Sequence, residues 1–243
     1  MKNTAIIIPS RLEAERFQNK PLEKINNLPM IVHVIKRAKE SKVGEVFVAT
    51  PDNKIFDIVK ENGGHPIMTK NDHLSGSDRI YEAYLNNLTD NVDLIINLQG
   101  DMPNIKPSSI SKLEKLMREK KSEIGTLASV LTSKDEIKDP NIVKVIVDED
   151  LNDNSFIYAK DFFRIKKDLR NEKIYHHIGI YAFTNVALTK YVKLSRSKLE
   201  IERKLEQMRA IENNIKIMVG LSDSSPLSVD TKEDLKKVTV EMN

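Results

Sequence analysis

The 243-residue chain contains no cysteine. That excludes a disulfide framework, thiolate-held zinc and thiol catalysis. Such staples are unnecessary at this size, because about 70% of the unfolded surface can be buried on folding. Aromatic residues make up 5% of the chain and tryptophan is absent. Those present do not interleave with cations, so a nucleic-acid surface has little support. Long apolar runs are missing too. The opening "MKNTAIII" meets Pro9 before it reaches the length of a secretory h-region or a membrane span, and the expectation is a soluble cytoplasmic protein without a membrane partner. No HExxH, GxSxG or Walker A motif occurs. No GxGxxG follows the first apolar run, which removes the main support for a nicotinamide dehydrogenase. Charge of one sign is also scarce: 39 Lys and Arg against 36 Asp and Glu leave a net +3. Mixed runs such as "MREKKSE" read as solvated helix faces.

What the chain does have is alternation. The short apolar runs "TAIII", "EVFVAT", "DLIINLQ", "GTLASVL", "IVKVIVD", "HIGIYAF" and "IKIMVG" read as strands. Between the first two, Ile31, Val34, Ile35 and Ala38 fall at i, i+3, i+4 and i+7, one face of a helix. "NKIFDIVKEN", "GSDRIYEAYLNNL" and "SSISKLEKLMREK" make three more helices, the first stopping at Gly63-Gly64. The pattern predicts an α/β fold of Rossmann-like type, a mainly parallel sheet with helices on both faces. Past about residue 130 it changes. "IVKVIVD" and "SFIYA" stand close together and predict an inserted antiparallel β element. A charged stretch from Lys160 to Lys173 reads as a loop or lid, and "SKLEIERKLEQMRAIE" as one helix. A single domain over residues 1–243, with an insertion over roughly 130–200, is the expected organisation.

In an open parallel sheet, ligands sit beyond the carboxyl ends of the strands. "PSR" leaves the first strand, "ATPD" the second and "QGDMP" the run "DLIINLQ", so the fold would gather Arg11, Lys20, Thr50, Gln99 and Asp101. The first loop, "PSRLEAERFQNKPL", lacks glycine and carries Arg11, Arg16 and Lys20 instead. Three cations in ten residues after a strand suit a triphosphate, although each alone reads rather as an exposed loop residue. Asp101 is either a Mg²⁺ ligand beside phosphates or a turn aspartate bonding its own backbone. Asp230, three residues before Glu233, resembles a capping box at the last helix. Ser75 with Asp78 reads as a helix start that also presents N–H groups to a ligand. Arg79 sits in the first turn, where the helix dipole disfavours a cation, and this favours an anion-binding role. Alternation along "IYHHIGIYAF" places Tyr175, His177, Gly179 and Tyr181 on one polar face, which reads as a sugar pocket or a solvent face. Glu206 and Gln207 read as surface residues.

Taken together, "IIIPSR", "NKPLEKINNLPMIVHVIKRA", "VFVATPD", "HLSGSDRI", "INLQGDMP", "HHIGIYAF", "LEQMRA" and "VDTKEDL" resemble, in order and spacing, the 3-deoxy-manno-octulosonate (Kdo) cytidylyltransferase family. The resemblance runs nearly end to end. It implies a fold of the nucleotide-diphospho-sugar transferase type and a Mg²⁺-dependent homodimer. The implied reaction couples CTP to an acidic 2-keto sugar, Kdo, giving CMP-Kdo and pyrophosphate for lipopolysaccharide synthesis. Carried over by position, Arg11 and Lys20 look like triphosphate ligands, with Pro9, Thr50, Ser75 and Gln99 around the nucleotide. Asp101 and Asp230 look like the metal pair, which reverses the capping reading of Asp230. Arg79, Gln99, His177, Tyr181, Glu206 and Gln207 fall around the sugar. Lys20, Asp101 and Arg11 then carry the catalysis. The chain departs from the family pattern at Ser10, at Gln18-Asn19 (usually proline-glycine), at Met102, at Lys160 and at "SSPLS". Those departures leave two alternatives: another acceptor, such as an 8-amino Kdo analogue, or a non-catalytic nucleotide-binding homologue.

Overall fold

The computed structural model describes residues 3–13 and 17–242, so Arg16, one of the three loop cations, lies outside the described residues. The chain divides into two compact units, residues 1–111 with 226–243, and residues 112–225.

The first unit opens with β1 (Asn3–Pro9), whose Ala5, Ile6, Ile7 and Ile8 are fully buried. A continuous apolar run of this kind suits a central parallel strand covered on both faces. A short hairpin follows, β2 (Lys24–Ile25) and β3 (Leu28–Pro29), turning through Asn26 and Asn27 at φ 46° and 67°. Two consecutive left-handed residues are what a type I′ turn requires, and Asn tolerates them. Next come α1 (Met30–Glu40), β4 (Glu45–Thr50), α2 (Asn53–Glu61), β5 (His65–Met68), α3 (Gly76–Asn87) and β6 (Val92–Leu98). The strand order is β5-β4-β1-β6, with every neighbouring pair parallel. Ile6 is paired with Val46 on one side and Ile96 on the other. The expected parallel sheet is therefore present. β5, which reads "HPIM", was not foreseen; its four residues are too few and too polar to give a periodic signal. α2 ends at Asn62, and Gly63 at φ 69° supplies the left-handed exit.

The unit boundary falls within α4 (Pro107–Lys120). The second unit continues with β7 (Ile124–Ser129), α5 (Lys134–Lys138), β8 (Lys144–Val147), β9 (Phe156–Phe163) and β10 (Lys173–Thr184). After these come α6 (Asn185–Val192), α7 (Lys198–Arg203), α8 (Met208–Glu212) and β11 (Met218–Leu221). The order is β10-β7-β11-β9-β8, and the β8–β9 pair is antiparallel, as expected from the close spacing of the two runs. Two expectations change here. The charged stretch from Lys160 is not a loop at first, because β9 runs through Phe163. The single helix over "SKLEIERKLEQMRAIE" is two short ones, broken at Lys204 with φ 53°. Glu200 and Arg209 are the reason. Both are 3% exposed at the side chain, and Arg209 donates to Glu200 through Nε at 2.9 Å and Nη2 at 2.8 Å. A continuous helix would put Arg209, nine residues on, on the face opposite Glu200, so the pair meets only because the chain turns at Lys204.

The chain ends with α9 (Lys232–Glu241) in the first unit. Its Val238 packs in one buried cluster with Phe17, Ile25, Met30 and Val229. That cluster ties the far end of the first loop, the hairpin and the segment carrying Asp230 to a common core.

Candidate active site

A cavity of about 400 Å³ in the first unit is lined from five places in the chain. The end of β1 supplies Pro9, Ser10 and Arg11; the returning loop supplies Lys20. The start of α3 supplies Ser75, Gly76 and Arg79, the exit of β6 supplies Gln99, Gly100 and Asp101, and the approach to α9 supplies Asp230. Gly100 gives room at this spot, where a Cβ would stand a tight 3.3 Å from the Pro9 carbonyl oxygen. The loop leaves β1 in register, with Ser10 N–H donating to the Ala49 carbonyl at 2.9 Å. It comes back through Asn19, at φ 55° and ψ 15°, into a single 3₁₀ turn over Lys20–Leu22 with Pro21 near its start. Asn19 thus fills the left-handed position that glycine holds in the resembling family, and the turn survives.

The Lys20 ammonium lies between two carboxylates, 3.1 Å from Asp101 Oδ2 and 3.4 Å from Asp230 Oδ1. Burial pulls its pKa down, but the facing carboxylates of Asp101 and Asp230 more than offset this and hold it above the ordinary lysine value. Asp101 is therefore no turn aspartate bonding its own backbone. Its main-chain carbonyl accepts from Val229 N–H at 2.9 Å, which fixes Asp230 beside it. The capping reading of Asp230 is off by one residue. The cap of α9 is Thr231 with Asp234 as its reciprocal partner, and the Asp230 side chain is left facing Lys20.

Arg79 is 3% exposed, and its Nη1 donates to Thr69 Oγ1 at 2.7 Å and to the Lys70 carbonyl at 2.8 Å. Burial lowers its pKa and the nearby positive charge of Arg11 lowers it further, so two guanidinium groups face one region and favour an anion there. Ser75 caps α3, accepting from Asp78 N–H at 3.2 Å. Gln99 donates to Asn97 Oδ1 at 2.9 Å and lines the cavity at the strand end. Thr50, expected beside the nucleotide, does not line the cavity. It is fully buried, and its hydroxyl accepts from Asp52 N–H at 3.1 Å. Met102 is buried too and does not line the cavity. Phe17, His73 and Leu74 line the cavity and were overlooked in the sequence. The one available signal was the position of His73 just ahead of the Ser75 cap. His73 is hydrogen-bonded to Glu82, which also accepts from Lys70 N–H at 2.9 Å.

The remaining sugar-side candidates belong to the second unit. The polar face expected on β10 is not a solvent face. His177 is 8% exposed, and a register shift between Ile178 and Tyr181 breaks the simple alternation. Thr126 donates its hydroxyl proton to the Ile180 carbonyl at 2.7 Å, so His177 Nε2, at 3.1 Å, must be the donor to Thr126 Oγ1. Burial pushes the His177 pKa down to about 3, with His176 and Arg164 adding to the effect, so the imidazole is neutral. Its ring lies 5.4 Å from that of Tyr181. Burial, and then the charge of Glu206, raises the Tyr181 pKa well above its ordinary value, and the same causes act on Tyr191. The enclosed Tyr181 hydroxyl lies near Thr126, but among the described residues no partner meets it at hydrogen-bond geometry. Glu206 and Gln207 are not surface residues. The helix break places them in a turn, where Gln207 is 8% exposed and the Glu206 carbonyl accepts from Tyr191 Oη at 2.8 Å. His177, Tyr181 and Glu206 are thus brought together, with Gln207 next in the same turn.

A cytidylyltransferase family model matches residues 5–217. The 3-deoxy-manno-octulosonate cytidylyltransferase of Bartonella tribocorum is 42% identical over 96% of this chain and 96% of its own length. The enzyme of the same name from Rhodopseudomonas palustris is 42% identical over 96% and 95%. A solved CMP:2-keto-3-deoxy-manno-octonic acid synthetase, complexed with CTP, superposes with a TM-score of 0.89 at 35% identity, covering 99% of this chain and 98% of that one. A likeness at this identity over the whole length, joined to the cation-and-carboxylate cavity, makes the chain a member of the 3-deoxy-manno-octulosonate cytidylyltransferase (CMP-Kdo synthetase) family.

Proposed function

We propose that the protein transfers CMP from CTP to the anomeric hydroxyl of Kdo and releases pyrophosphate. The observation that carries this reading is the Lys20 ammonium seated between Asp101 and Asp230 at the wall of a cavity that Arg11 and Arg79 also face. An anionic triphosphate entering there meets three cations. Lys20 and Arg11 offset the charge that builds on the departing pyrophosphate. Arg79, locked by Thr69 and Lys70, supplies a fixed fork.

The two carboxylates fit a divalent cation. Among the described residues no cluster of three or more His, Asp or Glu exists to cage a metal. Mg²⁺ does not need one, since one or two carboxylates suffice when phosphate oxygens and water complete the shell. Asp101 and Asp230 would hold it. When bound it supplies charge neutralisation at the α-phosphate and lowers the pKa of the attacking hydroxyl. Lys20 already marks that seat with a positive charge, and its long flexible stem lets the ammonium pass to the phosphates of the nucleotide.

The resemblance assigns acceptor roles to Arg79 and Gln99 of the first unit and, separately, to His177, Tyr181, Glu206 and Gln207 of the second. His177, held neutral, offers a hydrogen bond rather than a charge. The same reading carries a homodimer, action in the cytoplasm and a product used in lipopolysaccharide synthesis. The resemblance along the whole chain supports it, and no described helix is long and apolar enough to cross a membrane. A second reading, an amino-sugar acceptor, rests on Lys160, whose ammonium is already met by Asp148 at 3.1 Å and Glu172 at 3.7 Å. The ratio of kcat/KM for Kdo and its 8-amino analogue separates the two.

The direct test is pyrophosphate release from CTP, Mg²⁺ and Kdo. Turnover is expected, with a loss of about a hundred- to a thousandfold in Asp101→Asn, the scale of removing one group that stabilises transition-state charge. Absence of turnover in the wild type at every Mg²⁺ concentration refutes the proposal.

A further inference from the structure

The first loop must hold Arg11 and Lys20 in place without the glycine-built backbone cradle that usually organises a phosphate loop. The structure shows what replaces it. Asp52 occupies the N-cap position of α2, where an aspartate ordinarily bonds the N–H two or three residues on. Here it makes no cap bond. Its Oδ2 instead accepts from Leu12 N–H at 2.8 Å, across forty residues of sequence. Asp52 is itself oriented, because its N–H donates to the buried Thr50 hydroxyl at 3.1 Å.

Leu12 is held from its other side as well. Its carbonyl accepts from Asn19 N–H at 3.1 Å, and Asn19 in turn opens the 3₁₀ turn whose first residue is Lys20, with Leu22 N–H on the Asn19 carbonyl at 2.9 Å. The hydrogen bonds therefore run without a gap from Thr50 to Asp52, to Leu12, to Asn19. Arg11 directly precedes the clasped residue and Lys20 directly follows the last one. The charge of Asp52 also acts on Arg79, countering the lowering that burial and Arg11 impose.

We propose that Asp52 is a positioning residue for the nucleotide: its carboxylate clasps the Leu12 amide and so holds the loop in the form that presents Arg11 and Lys20 to the phosphates. Thr50 has the supporting part, which accounts for a threonine that stands next to the cavity in sequence yet does not line it. The inference rests on the nucleotidyl-transfer reading above. It assigns Asp52 no contact with substrate.

Asp52→Ala is expected to raise KM for CTP by ten- to a hundredfold, the scale of one lost hydrogen bond to a charged acceptor, and to lower kcat as well, since Arg11 and Lys20 also meet the charge that builds on the departing pyrophosphate. Asp52→Asn retains an acceptor oxygen and should restore KM to within about threefold of the wild type. Two results overturn the proposal. One is an Asp52→Ala enzyme with wild-type KM; the other is an Asn variant as impaired as the Ala variant, which would place the effect in the charge and not in the clasp. Because a variant can fail to fold, a second measurement uses the wild-type protein without nucleotide. Its Leu12 amide should be protected from hydrogen exchange to the degree of neighbouring strand amides, and a freely exchanging Leu12 amide overturns the clasp whatever the variants do. These outcomes are distinct from failure of the functional reading, which is seen as no CTP turnover in the wild type itself.

Discussion

The imidazole of His177 offers the most quantitative test of the second unit. In the unfolded chain an ordinary histidine titrates near pH 6.5, whereas burial among β10 neighbours pushes the folded value down to about 3. Between those values the unfolded chain takes up a proton that the folded protein refuses. Stability is therefore intact above pH 6.5 and falls as pH drops below it, by about 1.4 kcal/mol per pH unit, until the folded value is reached. Going from pH 7 to pH 5, this one group removes about 2 kcal/mol, a large part of the margin of a typical domain. Urea unfolding of wild type and His177→Gln at the two pH values isolates the contribution, since the other titrating groups are common to both. The variant should be weaker at pH 7 by about 1–2 kcal/mol for the disturbed contact with Thr126, but its further loss at pH 5 should be smaller than the wild type's by about 2 kcal/mol. Equal pH dependence in the two proteins, or a His177 proton resonance that titrates near pH 6.5 in the folded state, refutes the reasoning.

Arg209→Met strips Glu200 of its bidentate partner at a site where both side chains are 3% exposed, and thermal or chemical denaturation should register a loss of about 1–3 kcal/mol, less than for a wholly unpaired buried charge because Arg196 still meets Glu200 at 3.2 Å. Adding Glu200→Met should recover part of that loss, because the under-compensated carboxylate then disappears. Asn19→Gly should leave stability within about 1 kcal/mol of the wild type and KM for CTP unchanged, since glycine meets φ 55° without strain. Asn19→Val places a β-branched residue at the same angle, with an expected cost of about 1–2 kcal/mol and a raised KM. The Lys20 ammonium, held above the ordinary lysine value, should show no titration in stability or CTP binding between pH 6 and pH 9; its stabilising contribution is lost only as pH rises through that elevated value.

Most of the first unit was legible because its signals are strong and local. Ala5–Ile8 is an uninterrupted buried run, and α1 carries a clean apolar stripe whose members are all buried. β5 escaped because its four residues carry no period, and its place in the sheet comes entirely from pairing with β4. In the second unit, tertiary pairs overrode local pattern. The i, i+4 spacing of "SKLEIERKLEQMRAIE" is a sound helical signal, yet nothing in it reveals that Arg209 must fold back onto Glu200 and break the helix at Lys204. The face of β10 stayed open between pocket and solvent for a related reason: alternation assumes a regular strand, and it cannot show the register shift after Ile178 against the partner β7.

The cavity was legible where position along a strand decides the matter. Arg11, Gln99 and Asp101 follow from the rule that ligands collect at strand carboxyl ends, and Arg79 from a misfit with the helix dipole. Residues such as Thr50 and Asp230 were harder, because short polar side chains serve caps and sites alike. At α9 the cap is Thr231, so the neighbouring Asp230 is left over and meets Lys20. At α2 the N-cap residue Asp52 leaves its helix uncapped and takes the Leu12 amide instead. An aspartate beside a helix start thus becomes available for a site when a neighbour caps the helix, or when the helix is left without that cap. Which of the two applies depends on hydrogen bonds between segments forty or more residues apart, and those exist only once the chain has folded.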